Sequence, residues 1–225
     1  MLKDNRILAR IIEASQINEE EIVYEAGTGN GVLTEELCKK ANLVKSFEVD
    51  RQIFRKVRSI STCYPNLELI NADIFNIYHL EFDVFISNLP YSRSKDALQW
   101  LPFQKFKRAI IMTQREFADK LQANPGEKNY RAITVLSQYC FSIERLFNVS
   151  KEAFYPKPSI ESTLIRLVPR SAIMNKGIIT KLNFLFSQRN KNASTLLKRY
   201  GTKMRHDVKK IDQLTVKELM EIAAE

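Results

Sequence analysis

The sequence predicts an α/β fold, a mostly parallel sheet with helices on both faces. Three observations predict it. Short apolar runs alternate with segments whose apolar residues recur at helical spacing, the pattern of repeated strand-helix units. The first run, Ile22-Val23-Tyr24, leads through Glu25 and Ala26 into a glycine-rich turn, Gly27-Thr28-Gly29-Asn30-Gly31, which opens onto a helix-spaced set, Val32, Leu33 and Leu37. The first three runs each end on or beside a carboxylate, Glu25, Glu48 and Asp73. Ligands of such a sheet bind at the carboxyl ends of its strands, so these three residues share one edge.

Each element has its own signal. Leu8, Ile11 and Ile12 predict a helix between Leu2 and Ser15, and Asn18-Glu19-Glu20-Glu21 turns the chain into the first strand. The second strand lies in Leu43 to Asp50, a helix in Gln52 to Ile60, a turn at Tyr64-Pro65-Asn66, and the third strand in Leu67 to Ile70. Phe82 to Ser87 is the fourth strand and Ala109 to Met112 the fifth, followed by a helix from Arg115 to Leu121. After the loop Asn124-Pro125-Gly126-Glu127, Ala132, Val135, Leu136 and Tyr139 mark another helical face. Ile143 to Val149 and Thr163 to Val168 are expected to close the sheet as a pair. Val168-Pro169-Arg170 divides the chain into 1–170 and a small basic helical unit, 171–225. In that unit one helix is expected from Lys181 to Tyr200, with Gly201 as its C-cap, and another from Thr215 to Ala224.

Composition excludes several chemistries. With only His79 and His206, histidine triads and multi-histidine metal sites lack their residues, and no metal is expected. Cys38, Cys63 and Cys140 form no CxxC, which suits a reducing compartment. No apolar run approaches the length of a membrane span, so a cytoplasmic protein without a membrane partner is expected. The net charge of +9 favours an anionic partner, most simply nucleic acid. Residues 171–225 carry eleven Lys or Arg against five carboxylates, a pattern equally compatible with a solvated helical face.

The turn is GxGxG, with Val32 where a dinucleotide-binding turn needs its third glycine, which disfavours NAD and FAD. Glu48 stands 21 positions after Gly27, the offset at which a carboxylate reaches the two hydroxyls of a bound ribose. Asp73 fits either a helix N-cap or a ligand contact. Asn88-Leu89-Pro90-Tyr91, at the end of the fourth strand, is the most informative stretch. An exocyclic amine on a base is a poor nucleophile because its lone pair is delocalised into the ring. The Asn88 amide oxygen and the Leu89 carbonyl, held extended by Pro90, supply two acceptors for its hydrogens, and Tyr91 a ring for its face. The loop Ala153-Phe154-Tyr155-Pro156-Lys157-Pro158 adds aromatic rings and a lysine, suited to a lid over the core or to stacking on an extruded base.

With these motifs, and with Gln114-Arg115-Glu116, Ala123-Asn124-Pro125-Gly126 and Phe186-Ser187-Gln188-Arg189-Asn190-Lys191, nearly the whole chain resembles the KsgA-type rRNA adenine N6,N6-dimethyltransferases. The resemblance implies a Rossmann-like class I methyltransferase, with a seven-stranded sheet whose last strand is antiparallel, and S-adenosylmethionine as cofactor. It implies that 1–170 is the catalytic domain. It implies cofactor contacts from Leu2, Gly27, Gly29, Glu48, Asp73 and Asn88, with Glu48 on the ribose and Asp73 on the adenine amine. Asn88, Leu89, Pro90, Tyr91 and Phe154 would hold the target adenine, Tyr91 and Phe154 on either face. Lys157, Arg189, Lys191, Lys198, Arg199 and Lys203 are the RNA-binding candidates. Relatives carry a Gln-Asn-Phe-Leu type N-terminal segment, of which Leu2 is the counterpart here, and a larger C-terminal domain than 171–225. Thr28 and Ser92 replace Pro and Asn of many relatives.

The expected activity is dimethylation of adjacent adenosines near the 3′ end of small-subunit rRNA, by a monomer acting within a partly assembled small ribosomal subunit. Two alternatives stand beside it: macrolide-resistance-type methylation of large-subunit rRNA, and a non-catalytic RNA-binding assembly or transcription factor on the same fold.

Overall fold

The structure, a computed structural model, describes residues 2–88, 90–194 and 209–224. Seven strands form one sheet of order β3-β2-β1-β4-β5-β7-β6. They are β1 (Ile22–Ala26), β2 (Leu43–Phe47), β3 (Leu67–Ile70), β4 (Val84–Ser87), β5 (Arg108–Gln114), β6 (Phe141–Val149) and β7 (Ser162–Pro169). The pairs β1·β2, β2·β3, β1·β4 and β4·β5 are parallel, and β7 runs antiparallel to β5. The central strands are largely apolar because both faces are covered: every residue of β4 is buried, as are Ala109 to Thr113 of β5.

The chain forms two compact units, one of 1–115 and 144–169, the other of 116–143 and 170–225. The second is larger than the C-terminal segment expected from 171–225, because the loop and helix following β5 cluster with it.

In the first unit, α1 (Asn5–Ser15) starts at Asp4, whose carboxylate accepts from the Arg6 and Ile7 amides. Leu8 and Ile11 turn to the core, at the spacing read from the sequence. Its far end is held by Arg108, which donates to the Ser15 and Gln16 carbonyls at 2.7 and 2.6 Å and forks onto Glu21 at 2.8 and 2.7 Å. The Arg108 hydrogen bond holds the Glu21 carboxyl below the usual carboxylate range despite its burial. The glycine turn leads into α2 (Val32–Cys38). Gly31 has φ +84°, a conformation that residues with a Cβ rarely adopt, so the backbone favours glycine here; a Cβ would also displace the tip of Ile60, 2.0 Å away at Cδ1. The helix expected from Gln52 to Ile60 is two pieces, α3 (Arg51–Val57) and α4 (Ile60–Cys63), the first capped by Asp50. On one side of the sheet Tyr24, Phe82 and Phe85 pack with Trp100, the last residue of α5 (Ser94–Trp100), with ring centroids 4.7 to 6.3 Å apart along the chain of contacts.

In the second unit, α6 (Arg115–Leu121, beginning one residue earlier), α7 (Ala132–Cys140), α8 (Lys176–Ser187) and α9 (Val216–Ala224) enclose Tyr130, Leu182, Leu185, Phe186, Ile211 and Leu219. The fully buried Tyr130 donates its hydroxyl to the Leu214 carbonyl at 3.1 Å and sets its ring edge-on to Phe186. Thr215 and Glu218 cap α9 reciprocally. One expectation fails here: the helix read from Lys181 onwards stops at Ser187. Its last amides fold back, Gln188 to the Leu185 carbonyl and Arg189 to that of Phe186, and Asn192 bridges to Lys210. Tyr200 and Gly201 lie outside the described residues.

Candidate active site

A cavity of about 610 Å³ opens at the carboxyl ends of β1 to β4, within the first unit. Gly27, Gly29, Glu48, Asp73, Asn88, Pro90, Tyr91 and Phe154 all line it. Its lining combines apolar side chains, among them Val49, Ile53, Ile74 and Phe75, with the carboxylates of Glu48 and Asp73 and with Pro156 and Pro158. A small cavity of about 70 Å³ adjoins the glycine turn, lined by Leu2, Glu25, Gly27, Thr28, Gly29 and Asn88 among others. Asn88 and the two glycines therefore belong to both spaces.

Backbone amides place the Glu48 carboxylate. The Gly29 N–H donates to one oxygen at 3.1 Å and the Asp50 N–H to the other at 3.0 Å. Gly29 reaches this position with φ +58°, and the Asn71 amide donates to the Glu48 carbonyl at 2.7 Å, tying β2 to the turn after β3. Each carboxylate oxygen keeps acceptor capacity for a hydroxyl.

Asp73 is an N-cap, one of the two roles the sequence left open, and it also lines the cavity. Its Oδ1 accepts from the Phe75 N–H at 3.1 Å, starting a short 3-10 turn (Ile74–Asn76). Both of its oxygens also accept from Arg93 Nη2, at 3.0 and 2.8 Å. Arg93 was not among the residues singled out from the sequence. Only its three-residue offset from Asp96, to which Nε also pairs at 3.0 Å, hinted at a role.

Glu25 sits fully buried at the end of β1. Its Oε2 accepts from the hydroxyls of Thr34 and Ser46, each at 2.6 Å, and the Thr28 hydroxyl joins Ser46 at 2.6 Å. Thr28, in place of proline, thus extends the network. Oε1 has no protein partner among the described residues. Burial pushes the Glu25 carboxyl up to about 7, against the two hydroxyl bonds that favour the charged form. An orphan buried acceptor beside a cavity calls for a donor, and a cationic one would stabilise its charge.

Phe154 is only 7% exposed, yet it lines the cavity and belongs to the main core cluster. Leu2 pairs with it in an antiparallel bridge, extended by the Lys3 N–H on the Ala153 carbonyl at 2.8 Å. The exposed ring of this loop is its neighbour Tyr155, at 73%. The Tyr91 hydroxyl lies 2.5 Å from that of Ser162.

Of the described RNA-binding candidates, Lys157 belongs to the first unit and Arg189 and Lys191 to the second. Lys157 pairs with Glu152 at 2.5 Å, which also holds the Glu152 carboxyl down at about 2. Arg189 reaches the Lys128 carbonyl at 3.4 Å, and the Lys191 backbone accepts from Ile211 in the second unit. Leu89, Lys198, Arg199 and Lys203 lie outside the described residues. Among the described residues, no helix is long and apolar enough to cross a membrane.

A β3-β2-β1-β4-β5-β7-β6 sheet with β7 reversed and a ligand cavity over the strand ends defines a Rossmann-like class I methyltransferase. The model of the ribosomal RNA adenine dimethylase family matches residues 1–225. The chain belongs to that family. It is 31% identical over 228 residues to the ribosomal RNA small subunit methyltransferase A of Thermotoga maritima, covering 98% of this chain and 81% of the relative. Among solved structures it is similar to a dimethyladenosine transferase from Plasmodium falciparum, with a TM-score of 0.84 and 25% identity, covering 99% of this chain and 95% of the other. The 23S rRNA methyltransferase ErmE aligns with a TM-score of 0.68 and 24% identity over the full length of both chains, a likeness of fold.

Proposed function

We propose that this chain methylates N6 of two adjacent adenosines near the 3′ end of small-subunit rRNA, using S-adenosylmethionine. The observation that carries the reading is the single cavity on which Glu48, Asp73, Asn88, Tyr91 and Phe154 converge. The residues present fit the cofactor. The orphan Oε1 of Glu25 beside the glycine turn suits the α-ammonium of its methionine part, the amide-held Glu48 suits the ribose hydroxyls, and the apolar lining from Ile53, Ile74 and Phe75 suits a purine.

When bound, S-adenosylmethionine supplies an electrophilic methyl carbon on a sulfonium that departs as a neutral thioether. The protein's task is positioning and electrostatics. Asn88 and the Leu89 carbonyl accept from the two hydrogens of the target amine and favour its pyramidal form. Tyr91 and Phe154 hold the plane of the base, which must leave its stack to reach them. A proline at position 90 disfavours the helical conformation for the residue before it, which suits this role of the Leu89 carbonyl. Tyr155, exposed at the outer end of the same loop, is suited to a flanking nucleotide. Basic side chains, Lys157, Arg189 and Lys191 with Lys198, Arg199 and Lys203, supply phosphate contacts. The reading makes the protein a cytoplasmic monomer that acts on a partly assembled small subunit.

Transfer of labelled methyl to unmethylated small ribosomal subunits, with large subunits in parallel, tests this. Label mapped to paired adenosines near the small-subunit 3′ end is expected. Label in large subunits alone would move the chain to the macrolide-resistance reading. No label in either, with intact cofactor binding, would favour the non-catalytic one.

A further inference from the structure

We propose that Arg93 is a positioning residue that fixes Asp73 as the reader of the 6-amino group of the cofactor's adenine. The inference rests on the cavity being an S-adenosylmethionine site. Arg93 lines the cavity, and one of its nitrogens straddles both Asp73 oxygens at 3.0 and 2.8 Å. The guanidinium is itself anchored on two further sides: Nε pairs with Asp96 at 3.0 Å, and its carbon stands 5.0 Å from the centroid of the Phe75 ring. A planar fork held this way has little freedom left to lose when a ligand arrives.

The acceptor count then decides what Asp73 offers. Oδ1 accepts from the Phe75 N–H and from Arg93, whereas among the described residues Oδ2 accepts from Arg93 alone. Oδ2 keeps an open lone pair on a residue that lines the cavity. A carboxylate has no proton to donate, so this position takes an amino group and repels a carbonyl. Removing Arg93 leaves the Phe75 N–H as the one remaining donor to the Asp73 carboxylate among the described residues, and frees the carboxylate to turn about its own bonds. The pair also joins the turn after β3 to the segment directly following Asn88-Leu89-Pro90-Tyr91, so a purely mechanical tether is the competing role.

A ligand lacking the amine separates the two roles. Calorimetric affinities are measured for S-adenosylhomocysteine and S-inosylhomocysteine, whose ring carries a carbonyl in place of the amine, with the whole chain and with Arg93→Gln and Arg93→Lys. The unaltered protein is expected to prefer the adenosyl compound by about a hundredfold. R93Q should weaken the adenosyl compound about tenfold and leave the inosyl compound within about twofold, so the preference collapses. R93K should lose part of the preference, because it keeps the charge without the fork. Equal weakening of both ligands in R93Q, or a preference unchanged in R93K, overturns the proposal and makes Arg93 a tether. Should R93Q fail to fold, R93K alone decides by the same criterion. Failure of the unaltered protein to bind either ligand would instead sink the cofactor reading on which the inference rests.

Discussion

The Tyr91 hydroxyl lies 2.5 Å from the Ser162 hydroxyl, joining the segment after β4 to the first residue of β7. Ser162 is fully buried and cannot follow a moving ring, so the contact fixes the plane in which Tyr91 faces the cavity. A hydrogen bond of this kind contributes about 1 kcal/mol, or a factor of about five in a rate that depends on it. Ser162→Ala should slow methyl transfer by about that factor while leaving cofactor affinity unchanged, as rapid-quench transfer and calorimetry would report. Tyr91→Phe should behave alike. An unchanged rate in both variants would mean that the ring is held by packing alone.

Glu48 is oriented by two backbone amides rather than by side chains, so its geometry does not depend on the ligand. Glu48→Ala removes two charge-assisted hydrogen bonds to the ribose and should weaken S-adenosylhomocysteine binding by about 3 kcal/mol, roughly a hundredfold or more. Affinity equal to that of the unaltered protein would refute the ribose assignment.

Glu25 couples both stability and affinity to pH. Its carboxyl titrates at about 7 in the fold, above its ordinary 4.5, because burial disfavours the charge. Between these values the native state holds a proton that the unfolded chain has lost, so stability falls as pH rises from about 4.5 to about 7, by up to about 3 kcal/mol. Glu25→Gln should flatten that slope in denaturant titrations. Binding of a cationic ligand group favours the ionised carboxyl, so S-adenosylmethionine affinity should fall as pH drops below about 7, and binding at pH 6 should release protons. Calorimetry at pH 6 in buffers of different ionisation enthalpy reads that release as a dependence of the observed heat on the buffer; identical observed heats in all buffers would contradict it.

Neutralising Lys198, Arg199 and Lys203 together should lower RNA affinity and reduce the slope of log affinity against log salt by about 2, the expectation for three phosphate contacts to single-stranded RNA. A slope that stays the same would return these residues to a solvated face.

Much of the fold was legible because its signals are local. β3 spans the residues from Leu67 to Ile70 that the apolar run marks, and the glycine turn announces itself through positions at positive φ that favour glycine, Gly27, Gly29 and Gly31. The long helix from Lys181 was misread because Leu196 and Leu197 continue the helical spacing past Ser187, while the amides that fold back at Gln188 and Arg189 leave no mark on periodicity. The candidate site was readable where it rests on strand ends. Asp73 with Arg93, 20 residues apart, and Tyr91 with Ser162, 71 apart, were not, because such contacts depend on strand order and on loops whose paths the sequence does not encode locally. The same limit hid which ring of the 154–155 pair is exposed, since both are aromatic and adjacent.

The most direct test of the account compares Asn88→Ala with the unaltered protein in single-turnover methyl transfer to unmethylated small subunits, with S-adenosylmethionine affinity measured on the same preparations. If Asn88 holds the target amine, transfer should fall at least about a hundredfold and affinity should change by less than about threefold. Equal loss of both would show that Asn88 serves the cofactor rather than the base, and transfer at the normal rate would remove the amine-holding site from the mechanism.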